Sequence, residues 1–210
     1  DGDYVKDEYP DNVQVEELPG FNSVTREVYQ RLEYAGKHLL RAIAVYLNLP
    51  ENYFDDKVHN GNSILRAIHY FPIENPDSLP ADAVRAGAHE DINLITLLIG
   101  ASADGLEVLT RDGRWYPVKA NVEDIVVNVG DMLQRLTNNK LKSTTHRVVN
   151  PPRELMKTSR FSVPFFLHPK ADMDLTALAS CIDADHPKAY TNITAGEYLD
   201  ERLREIGLKM

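Results

Sequence analysis

The amphipathic pattern is clearest near the start of the chain, where apolar residues recur every three or four positions up to Pro50. Asn22 or Ser23 is a candidate N-cap for this segment, because either side chain can accept a hydrogen bond from a free backbone N–H group. The apolar positions that follow have the spacing of one helical face: Val24, Val28, Leu32, Ala35, Leu39, Leu40, Ile43, Val45 and Leu47. The pattern therefore predicts a long amphipathic helix that ends before Pro50.

After Phe54 the pattern changes to short apolar or alternating runs separated by turn-forming residues. Turn sequences such as Asp112-Gly113 separate the runs, which cover residues 65–71, 84–88, 94–99, 106–109, 115–118, 125–129, 146–149 and 160–167. Many short strands with such turns between them predict an antiparallel sandwich or barrel, with residues 131–139 as a short helix or wide turn.

Helical periodicity returns at the end of the chain, after a polar stretch beyond Pro169. Tyr198, Leu199 and Leu203 have helical spacing within residues 194–206, and Gly207 is a typical helix stop. The predicted order is a long N-terminal helix, a β-rich centre and a C-terminal helix, which makes the chain mainly β with flanking helices.

Composition and charge narrow the class of protein. The chain is 43% hydrophobic and 26% charged, which is enough apolar material for a sizeable core, and its apolar runs are too short to cross a membrane. Lys and Arg number 23 against 32 Asp and Glu, a net charge of -9 with no basic block, so we expect no nucleic-acid partner.

A single cysteine, Cys181, cannot form an internal disulfide, and the first residues lack the basic and apolar parts of a signal peptide. We therefore expect a cytoplasmic protein.

His89 and Asp91 stand out among the candidate functional residues. Residues two apart on an extended strand project to the same face, so one imidazole and one carboxylate would point the same way. Such a pair alone is more often a surface pair than a site. His146 lies on a later predicted strand, and a second imidazole would complete the two-His-one-carboxylate facial triad of non-haem Fe(II) oxygenases.

Two arginines on predicted strands offer carboxylate-binding chemistry. Arg160 and Ser162 are two apart, which places a guanidinium fork and a hydroxyl on one face, although a strand arginine in a surface ion pair is an equal alternative. Arg66 shares strand parity with Tyr70, so it either points into the barrel toward a substrate carboxylate or marks a solvent-facing strand end.

Four ordered segments resemble one known family: GAHEDINLITLL, DGLEVLTRDGRWYPV, VVNVGDMLQRLTNNKLKSTTHRVVNP and SRFSVPFFLHP. They resemble the isopenicillin N synthase-like branch of the 2-oxoglutarate- and Fe(II)-dependent dioxygenases, from about Leu65 to Leu167. The resemblance implies a double-stranded β-helix, or jelly roll, with Fe(II) held by His89, Asp91 and His146.

The same resemblance assigns further residues. It implies that Arg160, Ser162 and Tyr70 bind 2-oxoglutarate, the first two at its distal carboxylate. Asn93 stands where the family commonly has a small residue, and by strand parity we expect it to face the metal side and reshape the substrate pocket. Asn128, Gly130 and Asp131 match the family's Asn-x-Gly-Asp turn, for which we expect a structural role, with Gly130 permitting the bend.

The implied activity couples oxidative decarboxylation of 2-oxoglutarate, which gives succinate and carbon dioxide, to hydroxylation or another oxidation of a C–H bond in a small molecule. Its cofactors are Fe(II), 2-oxoglutarate as cosubstrate and dioxygen. Arg66 and Asn93 favour a polar or carboxylated substrate. Two alternatives stay open: an Fe(II) oxidase of the same fold that does not use 2-oxoglutarate, of the isopenicillin N synthase or aminocyclopropane carboxylate oxidase type, and a non-catalytic jelly-roll module that binds a ligand.

We expect one dioxygenase domain over residues 1–210, divided into a linker (1–20), a helical support (21–54), the jelly-roll catalytic core (60–168) and a tail with a helix (169–210). Members of the resembled family usually carry helix and strand before the point where this chain begins. We therefore expect an N-terminal segment to be missing, and apolar surface to be exposed along one side.

Overall fold

The computed structural model describes residues 11–80, 82–100, 103–121 and 123–209, so the first half of the predicted linker lies outside the described residues. The described helices are α1 (Phe21–Tyr46), α2 (Asp55–Val58), α3 (Asp131–Leu136) and α4 (Ala195–Glu205), with 3-10 turns at Pro76–Ser78, Arg153–Leu155 and Ala179–Cys181. None of the helices within these ranges combines the length and the hydrophobicity needed to cross a bilayer.

The long helix α1 confirms the amphipathic pattern, and its buried residues Leu32, Gly36, Leu40 and Ala44 repeat at helical spacing. The predicted N-caps were wrong. The capping position is Gly20, with a φ of 89° and no side-chain cap. Asn22 lies inside the helix, where its side chain bonds the backbone of Val13 and Val15. A side chain engaged in this way holds the preceding segment against the helix instead of capping it.

The strands are β1 (Ile64–Leu65), β2 (Ile68–Tyr70), β3 (Ala86–His89), β4 (Ile95–Ile99), β5 (Leu106–Leu109), β6 (Trp115–Pro117), β7 (Ile125–Val129), β8 (His146–Val148) and β9 (Arg160–Leu167). They form two antiparallel sheets, a major sheet in the order β1-β9-β4-β7 with β2 also on β9, and a minor sheet in the order β3-β8-β5-β6. The predicted mainly β fold with flanking helices is confirmed, and the arrangement is a jelly roll. That residues 1–210 form one domain stays a prediction.

Strand β9 separates the hydrophobic core from the interior of the jelly roll. Its residues alternate between the two faces of the major sheet. Phe165 and Leu167 are fully buried on the face that α1 covers, and the Phe165 ring meets the Tyr29 ring of α1 edge-on at 5.0 Å. Arg160 and Ser162, of opposite parity, project from the other face. Most of the apolar core thus lies on the α1 side of the major sheet, and the opposite face of that sheet carries the polar residues Arg160 and Ser162.

Strand register brings the candidate residues together. In the pair β2–β9, Tyr70 lies opposite Arg160 and Ile68 lies opposite Ser162. In the pair β3–β8, His89 lies opposite His146. One sheet therefore presents the two histidines, and the other presents the arginine, the serine and the tyrosine.

Candidate metal centre

The structure brings His89, Asp91 and His146 into one cluster, in which the potential ligand atoms all lie within 4.8 Å of one another. The Nε2 atom of His89 is 3.9 Å from Oδ1 of Asp91, and the Nε2 atom of His146 is 3.7 Å from the same oxygen. These separations suit three ligands on one face of a single ion. Within the described ranges this is the one group of His, Cys, Asp or Glu side chains with such geometry.

Both histidines have a fixed ring orientation. The Nδ1 atom of His89 is 2.7 Å from the Gly87 carbonyl oxygen, and the Nδ1 atom of His146 is 2.9 Å from the Thr144 carbonyl oxygen. A carbonyl only accepts, so in both rings Nδ1 carries the proton and donates it. Each Nε2 therefore keeps its lone pair for a metal, as in histidine ligands that are oriented by a backbone carbonyl.

Asp91 reaches the cluster in a way that the sequence did not predict. Strand β3 ends at His89, so Asp91 belongs to the loop that follows rather than to the same strand. The loop is held because the carbonyl of Asp91 accepts a 2.9 Å hydrogen bond from the backbone N–H of Asp131. The Asn-x-Gly-Asp turn thus supports the metal centre directly.

The side chain of Asp91 is 5% exposed and its two oxygens have different partners. Oδ2 accepts hydrogen bonds from Oγ1 of Thr96 at 2.7 Å and from Nδ2 of Asn128 at 2.9 Å. Oδ1 faces the two histidines. Thr96 was not assigned to the site from the sequence, and Asn128 was expected only to shape the turn. Thr96 lies opposite Asn128 in the pair β4–β7, and this register, which strand parity alone does not give, brings both side chains to the same oxygen.

Asn93 does not line the cleft. Its side chain is fully buried, and its Nδ2 donates a 2.8 Å hydrogen bond to Oγ1 of Thr96, which in turn donates to Asp91. The expected position of Asn93 in the substrate pocket does not fit this burial, because a side chain without exposed surface cannot contact a substrate in the cleft. Asn93 instead supports the carboxylate ligand indirectly, through its hydrogen bond to Thr96.

Arg160 begins strand β9 of the major sheet and is 2% exposed. Its Nε donates to the backbone carbonyls of Ala103 and Asp104, at 3.1 and 3.2 Å, while its Nη1 is buried without a hydrogen-bond partner. Burial is the main cause that lowers the pKa of Arg160, because a cation in this position loses its hydration. A buried N–H group without an acceptor is costly, so the site is suited to an anion.

The residues around Arg160 define the shape of this anion site. The guanidinium carbon is 5.1 Å from the centre of the Tyr70 ring, and Ser162 is buried on the same face of β9. Apolar side chains from both sheets line the adjoining cavity, among them Leu98, Leu106 and Val126. A buried cation with apolar side chains beside it is suited to one carboxylate and the carbon chain of a short dicarboxylate, and the metal triad on the minor sheet offers ligands for a metal that binds a 2-oxo acid.

Arg66 lies in the gap between β1 and β2, where its backbone N–H donates to the Pro164 carbonyl at 3.0 Å. This bond continues the register of β9, so Arg66 projects from the same face as Tyr70. Its side chain is exposed, and its guanidinium carbon is 5.2 Å from the centre of the Phe166 ring. The structure therefore brings Arg66 to the cleft side of the sheet edge.

Comparison with known proteins gives a consistent set of matches. The sequence model of the 2OG-Fe(II) oxygenase superfamily matches residues 61–169. The chain is 38% identical over 206 residues to the proline hydroxylase buaE of Petromyces alliaceus, covering 94% of this chain and 64% of that protein. It is 35% identical over 192 residues to the 2-oxoglutarate-Fe(II) type oxidoreductase ppzD of Metarhizium rileyi, covering 90% of this chain and 54% of that protein. The chain thus spans between half and two thirds of the length of these relatives.

Solved structures agree with these matches. A 2OG-Fe(II) oxygenase family protein from Caulobacter crescentus superposes with a TM-score of 0.88 at 48% identity, over 97% of this chain and 66% of that one. A full-length Neurospora crassa protein in complex with alpha-KG superposes with a TM-score of 0.85 at 33% identity, over 94% of this chain and 60% of that one. The same Neurospora crassa protein has also been solved with alpha-KG and thymine together.

Proposed function

Because the chain belongs to the 2OG-Fe(II) oxygenase superfamily, we propose that it is the catalytic part of a dioxygenase that oxidises a C–H bond of a small molecule. Oxidative decarboxylation of 2-oxoglutarate to succinate and carbon dioxide accompanies that oxidation. One observation carries the proposal: the structure combines a His-Asp-His cluster, whose histidines lie on the minor sheet, with a buried guanidinium on the major sheet whose Nη1 is unpaired.

The side chains divide the work between the two ends of the cleft. His89, Asp91 and His146 hold Fe(II), and the family's iron and 2-oxoglutarate together supply the oxidising power from dioxygen. Arg160 binds the distal carboxylate of 2-oxoglutarate with Ser162 and Tyr70 beside it. The guanidinium neutralises that carboxylate, and the apolar walls exclude water from the carbon chain between the two ends.

The substrate is a small, polar molecule in this proposal, with Arg66 as a contact for a carboxylate or another acceptor. The first support is the position of Arg66 on the cleft side of the sheet edge. The second is that one relative is a proline hydroxylase, and that the Neurospora crassa protein has been solved with thymine and with 5-formyluracil, all of which are small polar molecules. The net charge of -9 speaks against a nucleic-acid polymer as substrate. We also propose a cytoplasmic location, on the basis of the single, buried and free Cys181.

The first test is an anaerobic titration of the metal-free protein with Fe(II) and 2-oxoglutarate. A bound chelate gives a weak metal-to-ligand charge-transfer band, and Arg160→Ala should weaken the affinity for 2-oxoglutarate greatly. Arg153→Ala is the control, because Arg153 is exposed and paired with Asp77. Absence of the band at saturating ligand would contradict the proposal.

Succinate release separates the proposal from its alternatives. The dioxygenase forms one succinate for each oxidised product, so a substrate screen can follow succinate even where the product has not been identified. Substrate oxidation without succinate would identify an Fe(II) oxidase that does not use 2-oxoglutarate. Tightly bound zinc with no oxygen uptake would identify a non-catalytic module.

A further inference from the structure

Arg85 approaches the cosubstrate end of the cleft from the minor sheet. It directly precedes β3, and its backbone N–H donates a 2.8 Å hydrogen bond to the Val148 carbonyl of β8. Its guanidinium carbon is 5.8 Å from the centre of the Tyr70 ring, which also has the guanidinium of Arg160 at 5.1 Å. Tyr70 therefore contacts two arginines, one from each sheet.

Neither of these two cations forms an ion pair within the part of the chain that the structure describes. Nη2 of Arg85 is buried without a hydrogen-bond partner, as is Nη1 of Arg160. By contrast, Arg147 contacts Glu107 at 2.7 Å and Arg41 contacts Asp55 at 2.7 Å. The chain carries 32 acidic residues against 23 basic ones. A shortage of carboxylates therefore does not explain why the guanidinium groups of Arg85 and Arg160 lack an ion pair.

Two neighbouring cations with unsatisfied N–H groups repel each other unless an anion lies between or beside them. The positive charge of Arg85 contributes to lowering the pKa of Arg160, after the larger effect of burial. Arg160 also uses its Nε on backbone carbonyls, which leaves part of its donor set for a ligand. A carboxylate has two oxygens with several lone pairs and can accept from more than one guanidinium.

We infer that Arg85 is a second carboxylate-binding residue of this cleft, which acts with Arg160 and Tyr70 on the distal carboxylate of the cosubstrate. The inference rests on the proposed function, because it takes 2-oxoglutarate as the ligand. Residues from both sheets then form the anion site: Arg160 from the major sheet and Arg85 from the minor sheet. Arg85 thereby links cosubstrate binding to the start of β3, the strand that carries His89.

The test compares two ligands that differ only at the distal end. 2-Oxopentanoate has the 2-oxo acid that chelates Fe(II) but a methyl group where 2-oxoglutarate has its second carboxylate. In anaerobic titrations that follow the charge-transfer band, Arg85→Gln should raise the Kd of 2-oxoglutarate about 10- to 100-fold, as expected for the loss of a charge-assisted hydrogen bond. The Kd of 2-oxopentanoate should change less than about 2-fold.

Two further variants complete the design. Arg147→Gln is the matched control, because Arg147 also stacks on a ring, at 4.1 Å from Trp115, but is paired with Glu107. It should leave both Kd values unchanged. Arg85→Lys keeps the positive charge but not the fork, so it should lose less 2-oxoglutarate affinity than Arg85→Gln, and it also serves if the glutamine variant does not fold.

Several outcomes would overturn the inference. An unchanged Kd for 2-oxoglutarate in Arg85→Gln would show that Arg85 does not bind this carboxylate. An equal rise for both ligands would show that Arg85 only supports the shape of the cleft. Failure of the wild-type protein to form any band would count against the proposed function itself, whereas a normal wild-type band with either of the first two results counts only against Arg85.

Discussion

Nδ2 of Asn128 donates a 2.9 Å hydrogen bond to Oδ2 of Asp91, which ties strand β7 of the major sheet to the loop after β3. Thr96 donates to the same oxygen at 2.7 Å. Because both donors are on Oδ2, Oδ1 is left as the oxygen that faces His89 and His146. Hydrogen bonds from the major sheet therefore occupy Oδ2 of Asp91. They leave Oδ1 free to bind the same metal ion as the two histidines of the minor sheet.

Removal of these donors should weaken metal binding. We expect Thr96→Val and Asn128→Leu, which keep the size of each side chain, to raise the Kd for Mn(II) about 10- to 100-fold, as is typical when the groups that orient a ligand are lost. Isothermal titration calorimetry of the metal-free protein measures this. Thr96→Ser retains the hydroxyl and is the control. Wild-type affinity in the double variant Thr96→Val, Asn128→Leu would contradict the orienting role.

Metal binding should stabilise the fold, because it brings together residues from β3, its following loop and β8. Mn(II) at about 100-fold above its Kd should add about 2.7 kcal/mol to the free energy of unfolding, which is a rise in Tm of about 5–10 °C. Differential scanning fluorimetry with and without EDTA measures the shift. His146→Gln should abolish it. His69→Gln should not, because His69 is exposed and bonds Ser159; loss of the shift in that variant would point to another binding site.

Gly130 should not tolerate a side chain, for a reason of space rather than of backbone conformation. Its φ is -95°, which any residue can adopt, but a Cβ would lie 2.3 Å from the backbone oxygen of Asn93. A backbone atom cannot move aside as a side chain can, so Gly130→Ala should destabilise the protein by about 1–3 kcal/mol. Gly87→Ala is the matched control, because no atom lies within 4 Å of its Cβ position. Chemical denaturation compares the two; equal stability would show that the turn can move without cost.

Asp131 should make stability depend on pH. Burial is the main cause that raises the pKa of its carboxyl from 3.8 to about 6, opposed by the hydrogen bond from Tyr198 and by Arg202. The folded protein then holds this proton more tightly than the unfolded chain. The stability from this group is complete below pH about 4 and is lost as the pH rises through about 6, a difference of up to about 3 kcal/mol.

The test is urea denaturation of the metal-free protein between about pH 4 and pH 7. The free energy of unfolding of the wild type should fall relative to that of Asp131→Asn as the pH rises. Asp112→Asn is the control, because hydrogen bonds from Thr110 and Arg114 lower the pKa of this exposed carboxyl instead. A constant difference between wild type and Asp131→Asn across this range would show that Asp131 does not titrate as expected.

Local patterns predicted much of the fold. The spacing of apolar residues identified α1 and α4, and the short alternating runs identified the strands, because both periodicities are properties of neighbouring residues. Element boundaries followed the local pattern less closely. The predicted strand over residues 65–71 is divided into β1 and β2 at Arg66, and α1 begins at Phe21 without a side-chain cap. The ends of elements depend on contacts with other parts of the chain as well as on local propensity, so the local pattern defines them least closely.

The sequence by itself determined which chemical groups the protein has for its site: two imidazoles, a carboxylate and a guanidinium with a hydroxyl two residues later, all on predicted strands or next to them. Only the tertiary structure decided which atoms of these groups meet. It placed Asn93 behind Asp91 instead of in the cleft, directed Asn128 and Thr96 to one oxygen of that carboxylate, and set Arg85 against the same tyrosine as Arg160. The physical reason is that strand parity is local, whereas these contacts join residues far apart in the chain and depend on register and on the closure of two sheets.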